Sequence, residues 1–174
     1  MKKVNWGIIG LGNIALKFAD GFNNVKNAKL LGIASKNQNK LESFKKKFQI
    51  SNEYCFNNYE ELLKCKSIDI IYIALPNSLH YEWIIKSIKN EKNILVEKPA
   101  TINFTEIKNI KNLLENKQIF FAEAFMYLYH PQILKTINLI KENIIGRPIS
   151  MKSFFGIDIL TKKNIFGFKK KKKK

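Results

Sequence analysis

From residue 4 to residue 122, short apolar runs alternate with amphipathic stretches, the pattern of stacked strand–helix–strand units and a parallel sheet. Runs at residues 4–9, 30–34, 54–56, 68–75, 93–96 and 119–122 predict six strands. Asp69 is the one charged residue in the run at 68–75, as expected of a central strand covered on both faces. Between the runs, Ile14, Phe18 and Phe22 recur every four residues, and Leu41, Phe44 and Phe48 follow a similar stripe. Tyr81, Ile84, Ile85 and Ile88 fit the i, i+3, i+4, i+7 template, as do Phe104, Ile107, Ile110 and Leu114. These stripes predict helices that bury their apolar faces. Asn57 with Glu60, and Asn103 with Glu106, have the spacing of a capping box in which Asn replaces Ser or Thr.

After Pro131 the pattern changes. Ile133, Ile137, Ile140 and Ile144 predict one more helix ending near Gly146, and residues 149–157 alternate imperfectly in the period-two manner of a strand. The expected fold is therefore α/β. A doubly wound parallel sheet occupies residues 1–122, the start of a second α/β domain residues 123–168, and a poly-lysine tail residues 169–174.

Composition narrows the function class. With 45% hydrophobic and 12% aromatic residues the chain can bury a core. No stretch approaches the roughly 18 uncharged apolar residues of a membrane helix. After Met1-Lys2-Lys3, Asn5, Gly7, Gly10, Gly12 and Asn13 interrupt any signal-like apolar run, and no small-residue cleavage site follows. Cys55 and Cys65, in no metal-ligand pattern, fit a reducing compartment, so a cytoplasmic protein without a metal site is expected. The formal charge of +17 invites a nucleic-acid reading. Six of those charges are the terminal lysines, however, the rest are scattered, and Arg147 is the only arginine. Specific recognition favours arginine and a concentrated patch, so a solvated basic surface is expected and no specific nucleic-acid partner.

The sharpest local motif is Gly10-Leu11-Gly12-Asn13-Ile14-Ala15, directly after the first strand and opening the first helix. Gly10 permits a tight turn, Gly12 lets the backbone approach a pyrophosphate, and Ala15 keeps helix and strand close. The helix N-terminus then offers free N–H groups to phosphate oxygens. The residue that reads the adenosine ribose should lie about 20 residues further on. That stretch is Ala34-Ser35-Lys36, with no acid to accept from a 2′-hydroxyl. Ser35 can donate to a 2′-phosphate and Lys36 can neutralise it, which favours NADP, with NAD as the alternative. Two further constellations fall at strand ends, where open α/β sheets bind ligands: Pro76-Asn77-Ser78-Leu79-His80 and Glu97-Lys98-Pro99. A lysine there can orient a substrate oxygen and move its proton. Taken alone, Glu97 and Lys98 would more often form a surface ion pair, and His80 would be polar surface.

Together, G-L-G-N-I-A, A-L-P-N-S-L-H-Y-E, V-E-K-P and E-A-F-M-Y-L-Y-H-P resemble the Gfo/Idh/MocA oxidoreductases, most closely the branch with dihydrodiol dehydrogenase and glucose–fructose oxidoreductase. The resemblance covers residues 4–157. It implies a Rossmann domain binding NAD(P) and a C-terminal α/β domain whose open sheet covers the substrate. It assigns Gly10, Gly12, Asn13 and Ile14 to the pyrophosphate loop and Ser35 and Lys36 to ribose selection. Leu75, Pro76, Asn77 and His80 fall in the loop beside the cofactor, Glu97 at its nicotinamide end, and Lys98 at the catalytic lysine. Glu123, Tyr127 and His130 fall in the segment crossing to the second domain.

Two departures qualify this. Leu128 stands where many relatives carry an arginine, and the long remainder of the second domain, with its substrate-binding Asp and His, does not follow. The expected function is hydride transfer between NADP(H) and a sugar or cyclic diol. The alternative is a truncated fragment that binds cofactor without turnover, which leaves enzyme activity of this chain open. A poorly paired strand at residues 149–157 would favour self-association into a homo-oligomer.

Overall fold

Alternation along each apolar run decides which face of the sheet a side chain enters. The computed structural model describes residues 3–156. Six strands, β1 (Val4–Ile9), β2 (Ala28–Ala34), β3 (Cys55–Phe56), β4 (Ile70–Ile73), β5 (Asn93–Val96) and β6 (Phe121–Glu123), form one sheet. Their order is β3-β2-β1-β4-β5-β6, and every pairing is parallel. The helices are α1 (Asn13–Asp20), α2 (Gln38–Phe48), α3 (Tyr59–Lys64), α4 (Asn77–Lys89), α5 (Phe104–Leu114) and α6 (Pro131–Lys141). One face of the sheet presents Ile8, Ile33 and Tyr72 to Ala15 and Ala19 of α1 and to Leu41 and Phe44 of α2. The other presents Ile9, Ile71, Ile73, Ile94 and Val96 to Leu62 of α3, Ile84 and Ile88 of α4, and Ile110 of α5. Burying a side chain of this size contributes about 1.5–3 kcal/mol, so both layers are needed to hold the sheet.

The predicted doubly wound sheet is present, with shifted boundaries. β2 begins two residues early, at Ala28 opposite Val4. β4 is shorter than the apolar run because Ile68 closes a turn onto Cys65 O and the Asp69 carboxylate accepts from Asn5 N–H at 2.8 Å. Tyr54 belongs to a 3₁₀ turn rather than to β3, and β6 lies one to two residues later than its run. Five stripe residues are exposed: Ile14, Phe104, Ile137, Ile140 and Ile144. Ile14 is 42% exposed and Phe104 78%. The face of α1 that meets the sheet is Ala15 and Ala19, whose small side chains allow close approach. Asn58, not Asn57, caps α3 and accepts from Glu60 N–H at 2.8 Å. Asn103 caps α5 as predicted, at 2.9 Å from Glu106 N.

The chain divides into two compact units, the first ending at Met126 and the second starting at Tyr127. The sheet unit thus continues past Ala122, because β6 runs to Glu123 and Ala124 N–H donates to Val96 O. In the second unit, α6 starts with Pro131 at N1, and His130 caps it by accepting from Gln132 N–H. Residues 149–156 join no ladder among the described residues. The expected strand is not formed there, since alternation yields a strand only where a neighbour completes the hydrogen bonds. Ile157, the remainder of the 123–168 span and the 169–174 tail lie outside the described residues. Among the described residues no helix is long and apolar enough to cross a membrane.

Candidate cofactor site

A parallel sheet brings the C-terminal ends of its strands to one edge. The order reverses between β1 and β4, and the helices leaving those strands pass to opposite faces, opening a crevice at that edge. The turn after β1 begins at Gly10, whose φ of +88° is left-handed. A Cβ there would stand 2.7 Å from Ala74 O and 2.8 Å from Leu75 Cδ2. Only glycine serves both the backbone angle and this close approach to the β4 turn. Gly12 is the opposite case: a Cβ added there meets nothing within 4 Å. It is the N-cap of α1, no side chain caps the helix, and its first turn holds no acid. The residues present therefore fit a pyrophosphate, with open space beside Gly12 and first-turn N–H groups free to donate.

The other helices sharpen the point. Asn37, Asn58, Asn103 and His130 cap α2, α3, α5 and α6 with their side chains. Among the described residues, only α1 and α4 lack a side-chain cap. Both open onto the crevice, after Gly12 and after Pro76.

The predicted residues distribute along this edge as follows. Asn13, Ile14, Pro76 and Asn77 are exposed, and Gly12 and Leu75 are half-buried. Ser35, at the end of β2, is 5% exposed. Its Oγ accepts from Asn37 N–H at 3.1 Å, which leaves its hydroxyl hydrogen to donate. Lys36 is exposed, with Nζ 5.8 Å from the Tyr59 ring centroid. No carboxylate stands at the ribose position, since Ser35, Lys36 and Asn37 follow Ala34 directly.

His80 is not the polar surface residue that its lone position suggests. It is 0% exposed, with Nδ1 2.8 Å from Pro99 O and Nε2 2.8 Å from Leu75 O. The ring joins the β4 turn to the β5 turn from beneath, so any effect on a cofactor passes through those turns. Nor do Glu97 and Lys98 form an ion pair. Glu97 Oε1 accepts from Tyr72 O–H at 2.5 Å, and Lys98 is exposed with no ion-pair partner among the described residues. Burial first, and the hydrogen bond to Glu97 second, push the Tyr72 phenol well above its ordinary range. The Lys98–Pro99 peptide is cis.

Sequence reasoning missed two residues. Tyr72 reads as a central-strand apolar residue, and Glu123, whose Oε1 accepts from Ala100 N–H at 2.8 Å, reads as part of a crossing segment. The capping-box spacing found at Asn103 has no counterpart for such long-range contacts, so nothing local could have signalled them. Among the described residues no group of three His, Cys, Asp or Glu could hold a metal.

Comparison with known proteins agrees with this geometry. Residues 4–125 match the model of the Gfo/Idh/MocA oxidoreductase family with NAD-binding Rossmann fold. The chain is 33% identical over 155 residues to glucose-6-phosphate 3-dehydrogenase of Bacillus subtilis, covering 89% of this chain and 42% of that protein. Trans-1,2-dihydrobenzene-1,2-diol dehydrogenase of Xenopus tropicalis is 27% identical over 156 residues, covering 88% and 47%. The crystal structure of KijD10, a 3-ketoreductase from Actinomadura kijaniata with NADP and TDP-benzene, superposes with a TM-score of 0.74. That match has 25% identity and covers 82% of this chain and 43% of that one. The chain thus spans less than half the length of the curated relatives it matches. With the sheet order, the glycine turn and the family match in agreement, the chain belongs to the Gfo/Idh/MocA oxidoreductase family and carries its NAD-binding Rossmann fold.

Proposed function

We propose that this chain binds NADP(H) and acts in hydride transfer between that cofactor and a sugar or cyclic diol, with Lys98 as the catalytic residue. The observation that carries the reading is the pairing of two features on one edge. A glycine turn opens onto an uncapped helix after β1, and a lysine amine with no ion-pair partner among the described residues lies two strands away, after β5. N–H groups at Asn13 and Ile14 hold the pyrophosphate, with Gly10 and Gly12 keeping the backbone close. Ser35 donates to a 2′-phosphate and Lys36 balances its charge, with NAD as the alternative should Lys36 play no part. Leu75, Pro76 and Asn77 line the middle of the cofactor, His80 acts on it through the two turns, and Glu97 borders the nicotinamide end.

When bound, the cofactor supplies the hydride acceptor or donor. Lys98 Nζ holds the substrate oxygen and moves its proton. In oxidation the hydroxyl proton passes to the amine as the carbonyl forms, and in reduction the ammonium returns it. A sugar or diol substrate is supported by the names of the two relatives, and NADP by the KijD10 complex.

Titration with NADPH, followed by a turnover assay on a panel of sugars and cyclic diols, tests the reading. Lys98→Ala should lower kcat by about 100- to 10,000-fold, the contribution of a positioned proton-transfer group, and leave NADPH affinity unchanged. A loss under about tenfold would reject Lys98 as the reacting group. Cofactor binding without turnover is the second reading. Tight NADPH binding with no conversion of any panel member would select it.

A further inference from the structure

The three residues flanking Lys98 are held from three directions, while the Lys98 side chain is exposed and makes no ion pair among the described residues. On its N-terminal side, the Glu97 carboxylate accepts from the Tyr72 hydroxyl of β4, a side chain 1% exposed. On its C-terminal side, the Pro99 carbonyl faces His80 Nδ1 of α4. Next, Ala100 N–H donates to Glu123 at the end of β6. These contacts span 25, 19 and 23 residues of sequence, so each ties the turn to a different part of the fold. Beneath the turn, Glu97 N–H donates to Ile73 O and Ala124 N–H to Val96 O, which fixes its base to the sheet.

Two of the three contacts have a carboxylate acceptor, the stronger class of hydrogen bond. Tyr72 is itself braced. The Phe18 ring of α1 lies 4.0 Å from its ring, centroid to centroid, so the helix that opens at Gly12 also backs the residue holding Glu97.

We propose that Tyr72, His80 and Glu123 form a three-point clamp that presets the Lys98 turn, and that they are positioning residues for the Lys98 chemistry. This rests on the reading of Lys98 given above. Proton transfer during hydride transfer requires the amine within hydrogen-bond reach of one substrate oxygen, and misplacement by about an ångström costs about 100-fold. A turn fixed on both sides of Lys98 meets that need while leaving the amine free for substrate. The Tyr72 contact adds a second effect: it occupies the one carboxylate adjacent in sequence that would otherwise pair with the lysine.

The test uses Tyr72→Phe, Glu123→Ala and Glu123→Gln in the full chain. Gln keeps an acceptor oxygen for Ala100 N–H, so it is the rescue variant. The primary readout is the backbone order parameter of Lys98, with unfolding midpoints as the control for fold. The clamp predicts a rigid value of about 0.85 in wild type, a fall toward about 0.6 in Tyr72→Phe and Glu123→Ala, and recovery in Glu123→Gln. On any substrate that turns over, Glu123→Ala should lower kcat at least about tenfold with NADPH affinity within about twofold, and Glu123→Gln should restore it. Lys98 as ordered in Glu123→Ala and Tyr72→Phe as in wild type would overturn the clamp. So would full turnover in those variants when Lys98→Ala is inactive, and the Lys98 reading would then stand. Full turnover in Lys98→Ala would remove the Lys98 reading instead, and the clamp's catalytic purpose with it.

Discussion

Gly10 and Gly12, two residues apart, should respond to the same substitution in opposite ways. At Gly10, alanine would adopt a φ of +88° with its Cβ 2.7 Å from Ala74 O. Left-handed backbone costs a residue with a Cβ about 1–2 kcal/mol. Forcing a methyl group against packed neighbours adds about 1–3 kcal/mol. Because the closest atom is backbone rather than a flexible side-chain tip, little relief is available, and Gly10→Ala should destabilise by about 2–5 kcal/mol. At Gly12, φ is −95° and the added methyl meets nothing within 4 Å. Loss of a favourable N-cap residue and the reduced freedom of the unfolded chain nearly offset, so stability should stay within about 1 kcal/mol. The methyl would nevertheless stand in the space assigned to the pyrophosphate, and NADPH affinity should fall at least about tenfold, or 1.4 kcal/mol. Urea unfolding measures the first effect, and fluorescence titration with NADPH the second. Gly12→Ala binding NADPH as tightly as wild type would refute the placement of the pyrophosphate. Gly10→Ala losing less than about 1 kcal/mol would refute the strain argument.

Other outcomes follow from single contacts. Lys36→Ala should shrink the preference for NADPH over NADH, and equal affinities for both in wild type, unchanged by the substitution, would contradict the 2′-phosphate assignment. Lys92, 7% exposed, donates to Cys65 O and Ile68 O at 2.7 Å each, and burial lowers its pKa below 10.5. A depressed folded pKa means that the unfolded chain binds the extra proton. Wild-type stability relative to Lys92→Met should therefore rise as pH climbs through the folded pKa toward 10.5, read from urea midpoints at several pH values. Tyr72 has the opposite sign. Its raised folded pKa keeps its contribution intact below 10.0 and loses it above, so the stability gap between wild type and Tyr72→Phe should narrow only beyond that pH.

Much of the fold was legible because its signals are local and repeated. Short, mostly apolar runs gave the strands, β1 and β5 to the residue, and the glycine motif sat where a strand turns into a helix. What escaped the sequence depends on neighbours far along the chain. Asn57 and Asn58 are equally good caps in isolation, and the approach of the chain to α3 selects Asn58. Ile14 repeats with Phe18 and Phe22, yet the sheet takes Ala15 and Ala19 because only small side chains let α1 come close. The same holds at the site. Its exposed residues were readable as motifs, whereas the burial of His80 between two carbonyls, and the partnering of Glu97 by Tyr72, arise only when turns from different strands meet. The alternation at residues 149–156 shows the converse: a strand pattern without a ladder among the described residues stays irregular.

A dinucleotide lying along the C-terminal edge of the sheet would be seen in the amide resonances during titration of the chain with NADPH. Saturable shifts should concentrate at Gly10, Gly12, Asn13, Ile14, Lys36 and Asn77. Absence of saturable shifts would contradict this placement. So would shifts confined to the opposite end of the sheet, around the groove lined by Phe22, Lys29 and Phe48.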